Sequence, residues 1–411
     1  MKTQVISAIA LAFAASHAAA AEYRPLDLAA AFGPEVASEK SSIAVRWEHL
    51  GSARFGDMSM DTPSAPVENG VDEERIKSAI ANKEGRFWIA VNLNSGQEYL
   101  VEMPSETAKS LRLLASKAGA DRGFAGTAAD PQEPDSYGQA KGWSNGVDTR
   151  TRRTNNTTYP FRAMGQIGGG VDWGCSGTLV GRRHVLTAAH CLYNDDTDQW
   201  TLGGRFRPGR EGSCDNATCE PYGEHEGTWY FTPAEYRAAN NQWNYDYGLI
   251  VLEGTPGNQT GWLGYVATSQ GNLSDLCDKV PFGPGYLGGQ CYNRGYPACS
   301  FAEAPAECRN NPAAFQGWAY QDTNPCEIGS FGSAGEDGWA ARFTTNCDIS
   351  RGHSGSAVYS DAWDGDGKVV LGVVSTHSCT TCSAGEVYVN GIRRVTPEVL
   401  DMIAYFKAEM P

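Results

Sequence analysis

From about Gly142 to the C-terminus, short runs of Val, Ile, Leu and aromatic residues alternate with clusters of Gly, Asn and Pro. "GTLVGRRHVLTAAH" and "KVVLGVVSTH" read as strands within this pattern. Many short strands with frequent turns predict a sandwich or barrel. Upstream, "RFWIAVNLNSGQEYLVEM" predicts two strands around the turn residues Asn94, Ser95 and Gly96. "SETAKSLRLLASKAG" predicts a helix with Ser105 as N-cap and Gly119 as stop. The polar, Gly- and Pro-bearing run "GFAGTAADPQEPDSYGQAKG" then reads as a linker. At the far end, "TPEVLDMIAYFKAEM" predicts a terminal helix with Thr396 as N-cap and Pro397 at its first position. Its apolar face is Val399, Leu400, Ile403 and Phe406, packed on the barrel. The pattern therefore divides the chain into a small α+β unit with linker, residues 22–141, and a mostly β domain, residues 142–411. There is no internal repeat.

Composition narrows the class. A chain of 411 residues allows one to three domains and a large core. The formal charge of −15, with no long basic run, excludes nucleic acid as the expected partner. The N-terminus has the form of a secretory signal: Lys2, then the apolar run Val5 to Phe13, then "AAAAE" with cleavage expected between Ala21 and Glu22. That run is too short to span a bilayer, and no later segment is long enough either. The expected location is secreted or periplasmic. All twelve cysteines lie from Cys175 onward. An even number in an exported chain reads as disulfides, and their absence from the first 174 residues marks a compositional boundary.

Candidate chemistry gathers in three short stretches. In "RGHSGSAV", Arg351 to Val358, Gly352 and Gly355 permit the backbone angles of a tight turn that presents Ser354. The N–H groups of Gly352 and Ser354 could converge there on a developing oxyanion. In "LTAAHC", His190 follows a strand as a candidate general base, and Cys175 and Cys191 could bridge across its loop. In "WNYDYGLIVLE", Asp246 stands at the mouth of an apolar strand, where a carboxylate is costly unless hydrogen-bonded. Each stretch alone has a plainer reading: a glycine turn, a structural histidine, a turn aspartate. Together they run His, Asp, Ser, which is not the order of an α/β-hydrolase, and Ser356 stands where that elbow needs Gly. "THSCTTC" offers His377, Cys379 and Cys382 to zinc, but no second cysteine pair matches, so a disulfide is preferred. "DAWDGDGK" lacks the glutamate of a calcium loop and reads as a hairpin between Val358 and Val369. No metal and no cofactor are expected.

"LTAAHC", "NYDYGLI" and "GHSGS" resemble the triad blocks of the chymotrypsin-like serine proteases. "RTRRTNNTTYPFRAMGQI" (Arg150 to Ile167), "NRGYP" (Asn293 to Pro297) and "YVNGIRRVTPEVLDMI" are similar to the bacterial secreted glutamyl endopeptidases. The resemblance covers about Gly142 to the C-terminus. It implies a double β-barrel and an endopeptidase acting on protein or peptide substrates. It also implies His190 as base, Asp246 as orienting acid, Ser354 as nucleophile, and Gly352 with Ser354 as oxyanion hole; it agrees with a Cys175–Cys191 disulfide. The sequence departs from digestive zymogens in lacking an "IVGG"-type start and in placing His353, not Asp, before the nucleophile. It also carries a longer segment from Asp275 to Asn346, whose Cys277, Cys291, Cys299, Cys308 and Cys326, with Cys347 just beyond, suggest stapled loops. Residues 22–141 read as a removable prosegment, an inhibitor or folding aid for the domain that follows. Asp348, six before the nucleophile, is expected near the floor of the primary specificity pocket and favours a basic residue before the scissile bond. His377 is the rival, favouring an acidic one. A catalytically silent protease-like binding module is the alternative to an enzyme.

Overall fold

The computed structural model describes residues 22–25, 44–56, 73–81, 85–118, 148–168, 174–238, 242–277, 290–332, 339–363, 367–377 and 390–411. A ten-stranded sheet runs in spatial order Glu22–Pro25, Ala44–Ser52, Gln97–Pro104, Gly85–Asn92, Gly227–Pro233, Gly248–Leu252, His184–Thr187, Cys175–Leu179, Met164–Ile167 and Phe206–Pro208. A nine-stranded sheet runs from Ile328–Phe331 through Arg342–Thr345, Asn390–Arg394, Gly367–His377, Ala357–Trp363, Cys291–Gly295 and Tyr320–Asp322 to Arg150–Arg152. Gly264–Tyr265 joins it beside Gly367–His377. With the terminal helix Pro397–Glu409, this is the all-β chymotrypsin-like double barrel that the strand pattern and the resemblance anticipate.

Local signals translate directly into local structure. Gly85–Asn92 and Gln97–Pro104 pair antiparallel in full register, from Gly85 opposite Pro104 to Asn92 opposite Gln97. The turn closes because the Asn92 side-chain oxygen accepts from the Asn94 and Ser95 N–H groups at 3.0 and 3.1 Å, and Gly96 takes φ of 67°. Helix Ser105–Ala118 follows. The hairpin expected around "DAWDGDGK" forms between Ala357–Trp363 and Gly367–His377. Five disulfides lie among the described residues: Cys175–Cys191, Cys214–Cys219, Cys277–Cys291, Cys299–Cys308 and Cys326–Cys347. Cys379 and Cys382 lie outside the described residues, as does the expected boundary at 141/142.

One expectation changes at longer range. The sequence predicts a terminal helix that buries one face, yet Val399 through Phe406 are all buried, including Asp401. The reason is that the helix is covered from a second side, by the N-terminal unit. Trp47 Nε1 donates to the Tyr405 hydroxyl at 2.6 Å, Trp88 stacks on the Tyr405 ring, and Arg86 pairs with Asp401 at 3.2 Å. Thr396 occupies the N-cap position, but its hydroxyl serves the Arg393 guanidinium and makes no cap hydrogen bond. The N-terminal unit is joined to the first barrel at equally long range. The described residues between 44 and 118 share one sheet and one hydrophobic core with the first barrel. Aromatic side chains the size of Trp47 and Trp88 bury about 150–250 Å² each, about 4–6 kcal/mol apiece before ordering costs. The N-terminal unit is therefore tightly packed on the barrel, not loosely appended to it.

Candidate active site

The three chemical stretches arrive at one place from both barrels. Strand His184–Thr187 ends in the short 3₁₀ turn Ala189–Cys191, which carries His190. The Cys175–Cys191 disulfide ties that turn back to the neighbouring strand Cys175–Leu179. Asp246 lies two residues before strand Gly248–Leu252, which pairs with His184–Thr187. Register thus sets the carboxylate beside the imidazole. Asp246 Oδ1 accepts from the His190 backbone N–H at 2.9 Å, and His190 Nδ1 lies 2.9 Å from Oδ2.

Asp246 has a third partner. Ser375, on strand Gly367–His377 of the second barrel, donates its hydroxyl to Oδ2 at 2.6 Å. Burial by itself would raise the fully buried Asp246 carboxyl, but the charge and hydrogen bonds of His190, with Ser375, outweigh it and hold the pKa below its ordinary value. For His190 burial again opposes the charged form; the Asp246 carboxylate, assisted by Asp195, prevails and raises the imidazole above 6.5. The pair is built to keep the imidazolium stable once formed.

The Ser354 loop comes from the second barrel and is seated on the first. Gly352 and Gly355 have φ of 93° and 77°, in the left-handed region that favours glycine. A Cβ on Gly355 would collide with Thr187, Ser176 and the backbone N of Ala188, and one on Gly352 with the backbone of Tyr296 to Ala298. That close approach is what brings Ser354 next to the His190 turn. Ser176 fastens the contact: its N–H donates to the Ser354 carbonyl at 2.8 Å and its hydroxyl to the Gly352 carbonyl at 2.7 Å. Among the described residues the Gly352 and Ser354 N–H groups donate no hydrogen bond, while those of His353, Gly355 and Ser356 do. Ser354 Oγ and His190 Nε2 are likewise without hydrogen-bond partners there, including each other.

Below the loop, His353 is fully buried, with Nδ1 2.9 Å from Asn293 Oδ1. Asn293 in turn donates to Ser356 Oγ and the Ala357 carbonyl at 2.8 and 3.0 Å. Burial, reinforced by the nearby Arg150 charge, keeps the His353 imidazole neutral. Arg150 reaches Ser350 Oγ at 2.7 Å, Asp148 at 2.8 Å and the Glu303 carbonyl at 2.6 Å.

Asp348 does not stand free. It is buried, its carboxylate accepts from the Thr149 N–H at 2.7 Å and the Thr149 hydroxyl at 3.1 Å, and its own N–H donates to Asp322 at 2.8 Å. Burial, then the charge of Asp348, raises the Asp322 carboxyl to about 8, and burial raises Asp348 as well. The two acids share a buried site closed by residues 148–150. His377 ends its strand opposite Asn390.

Ser176, Asn293 and Ser375 are the site residues the motif reading passed over. Asn293 and Ser375 lie inside stretches that drew attention for other residues, Ser176 stands between Cys175 and the strand run that begins at Gly177, and a hydroxyl or amide has no spacing signature of its own.

Residues 148–302 match the family model for trypsin. It is similar to a glutamyl endopeptidase of Bacillus licheniformis, 40% identical over 124 residues, which are 30% of this chain and 37% of that protein. It is also similar to a protein of Bacillus subtilis named an extracellular metalloprotease, 36% identical over 140 residues, 33% of this chain and 42% of that protein. The chain thus matches about two-fifths of the length of these curated relatives. A solved structure of Glu endopeptidase in complex with MPD aligns with 64% of this chain and 98% of its own, at 21% identity and a TM-score of 0.44.

Proposed function

We propose that this chain is an exported serine endopeptidase, made with a signal at residues 1–21 and an N-terminal segment, residues 22–141, ahead of a catalytic region at 142–411. The observation that carries the reading is the bridge between barrels: Asp246, bonded to His190 and Ser375, beside a glycine-shaped loop whose Gly352 and Ser354 N–H groups donate no hydrogen bond among the described residues. Ser354 Oγ attacks the scissile carbonyl while His190 Nε2 takes its proton. Asp246 holds the proton on Nδ1 and stabilises the imidazolium. The oxyanion settles on the Gly352 and Ser354 N–H groups. His190 then protonates the leaving amine, and water hydrolyses the acyl-enzyme by the same path. Substrates are proteins or peptides, and the location is secreted or periplasmic; among the described residues no helix is long and apolar enough to cross a membrane.

The pH profile tests the base. Only neutral imidazole can accept the Ser354 proton, and His190 is raised above 6.5. We expect kcat/KM to rise with pH through a midpoint above 6.5, since that profile reports the free enzyme's base. A midpoint below 6.5 would contradict the assignment of His190.

The name of the Bacillus subtilis relative raises a metal-dependent alternative. Among the described residues two clusters carry metal-ligating side chains: Cys175, His190 and Cys191, and Asp322, Cys326 and Cys347. In both, the cysteines are disulfide-bonded and offer no thiolate. Full activity after exhaustive chelation is the expected result.

For specificity, the buried partners of Asp348 argue against the basic preference. A buried carboxylate already accepting from the Thr149 N–H and hydroxyl presents no free charge to Lys or Arg. The similarity to a glutamyl endopeptidase supports the acidic rival, with His377 as candidate partner. In a peptide library we expect cleavage after Glu or Asp, and an Asp348→Asn variant with the same acidic-to-basic ratio. Cleavage confined to Arg and Lys, and weakened by that substitution, would restore the basic reading.

A further inference from the structure

The described residues of the N-terminal unit grip the catalytic region at three places, among others, and none of the three is a reacting group. First, Gly85–Asn92 pairs antiparallel with Gly227–Pro233, from Trp88 opposite Pro233 to Asn92 opposite Trp229. Gly227–Pro233 in turn pairs with Gly248–Leu252, the strand that Asp246 precedes. Without the unit, Gly227–Pro233 would become an edge strand bearing Trp229, Tyr230 and Phe231, an open template for association with other chains. Second, Trp47 and Trp88 cover the Tyr405 and Phe406 side of the terminal helix.

Third, Glu98 enters the run that leaves His190. Its carboxylate is buried, accepts from Trp200 Nε1 at 2.7 Å, and pairs with the buried Arg237 guanidinium. Arg237 continues to Asp198 at 3.1 Å and lies over the Tyr193 ring at 4.3 Å. Phe55–Gly56 pairs in parallel with Trp200–Thr201, and the Trp200 N–H donates to the Arg54 carbonyl at 2.9 Å. Tyr193, Asp198 and Trp200 all belong to the ten residues after His190. A buried charge stripped of its partner is strongly destabilising, so loss of Glu98 would leave Arg237 with Asp198 as its remaining carboxylate partner among these residues. By contrast, among the described residues no hydrogen bond or ion pair joins the unit to His190, Asp246, Gly352 or Ser354. An inhibitor lying across the site would place its contacts there.

We propose that residues 44–118 are a permanent part of the working enzyme: cleavage between residues 119 and 147 leaves both fragments bound, and Glu98 is a positioning residue for the His190–Trp200 run. The binding half stands independently of the proposed peptidase activity.

The test begins with a Ser354→Ala chain carrying a site-specific protease sequence inserted near residue 130, folded intact and then cut. Both fragments should co-elute from size exclusion as one 1:1 species and stay together on dilution to nanomolar concentration. Separation in native buffer overturns the proposal, whatever the state of the C-terminal fragment. The positioning half is tested with Ser354 restored. Glu98→Gln keeps an acceptor for Trp200 but removes the charge facing Arg237. With active sites counted by a fluorophosphonate, kcat per labelled site should fall about tenfold while KM stays put, the pattern of a displaced catalytic group rather than lost protein. An unchanged kcat per labelled site would show that Glu98 only holds the fold together.

Discussion

Replacing Ser354 with alanine is expected to lower kcat for peptide hydrolysis by about 10⁶-fold while the protein folds normally. The first half rests on the nucleophile being the one group no other can replace; in triad enzymes its loss costs about as much as losing the whole constellation. The second half rests on the absence of any hydrogen bond from the Ser354 hydroxyl among the described residues. Its backbone carbonyl, not its side chain, bonds to Ser176, so truncation removes no structural partner and stability should stay within about 0.5 kcal/mol. Single-turnover assays and thermal unfolding of the purified variant check both. Peptidase activity in a preparation free of contaminants would remove Ser354 from the mechanism.

The second large effect belongs to Asp246. The Asp246→Asn variant keeps the shape of the side chain and one acceptor oxygen, so the His190 backbone N–H and the Ser375 hydroxyl can still be accommodated. What changes is the imidazole. An amide NH₂ facing Nδ1 forces the proton onto Nε2, the atom that must accept from Ser354. The cost of that wrong tautomer is about 10⁴-fold in kcat. The substitution also removes the charge that raises His190 while its burial remains, so the acid limb of kcat/KM should move to lower pH than in the unsubstituted protein. Both shifts are read from one pH series. A variant with near-normal kcat and an unmoved limb would mean that Asp246 neither orients nor charges the base.

The parts of this molecule that local sequence can specify are the parts the pattern reading reached. The hairpin Gly85–Pro104 announces itself by apolar strands and an Asn-Ser-Gly turn, because the Asn92 side chain and Gly96 close it with neighbours at most a few residues away. The terminal helix is marked by Pro397 at its start. The chemical blocks are legible because His190, Asp246 and Ser354 each sit in a short stereochemical context, a turn after a strand or a glycine loop, that leaves a trace in adjacent residues. What stayed hidden is long-range pairing. Nothing near Gly85–Asn92 says that its free edge will join Gly227–Pro233, more than a hundred residues on, and so the terminal helix was read as one-sided when Trp47 and Trp88 cover its other side. Asp348 is the same lesson in charge: its position before the nucleophile suggests a pocket floor, while its partner Thr149 lies almost two hundred residues away. Ser375, which completes the Asp246 shell from the other barrel, lies in a run already read as a strand and has only a hydroxyl to distinguish it.

The most direct measurement of the central claim is covalent. A fluorophosphonate reacts readily with a serine whose proton is withdrawn by a base while hydrogen-bond donors receive the charge developing on the probe's phosphoryl oxygen, and fluoride leaves. Incubated with the purified protein and followed by intact mass and peptide mapping, it should attach one phosphonyl group per chain, at Ser354, with a rate that rises as His190 loses its proton. Absence of labelling in folded protein, or a label on another residue, would contradict the assignment of Ser354, His190 and Asp246 as the reacting set.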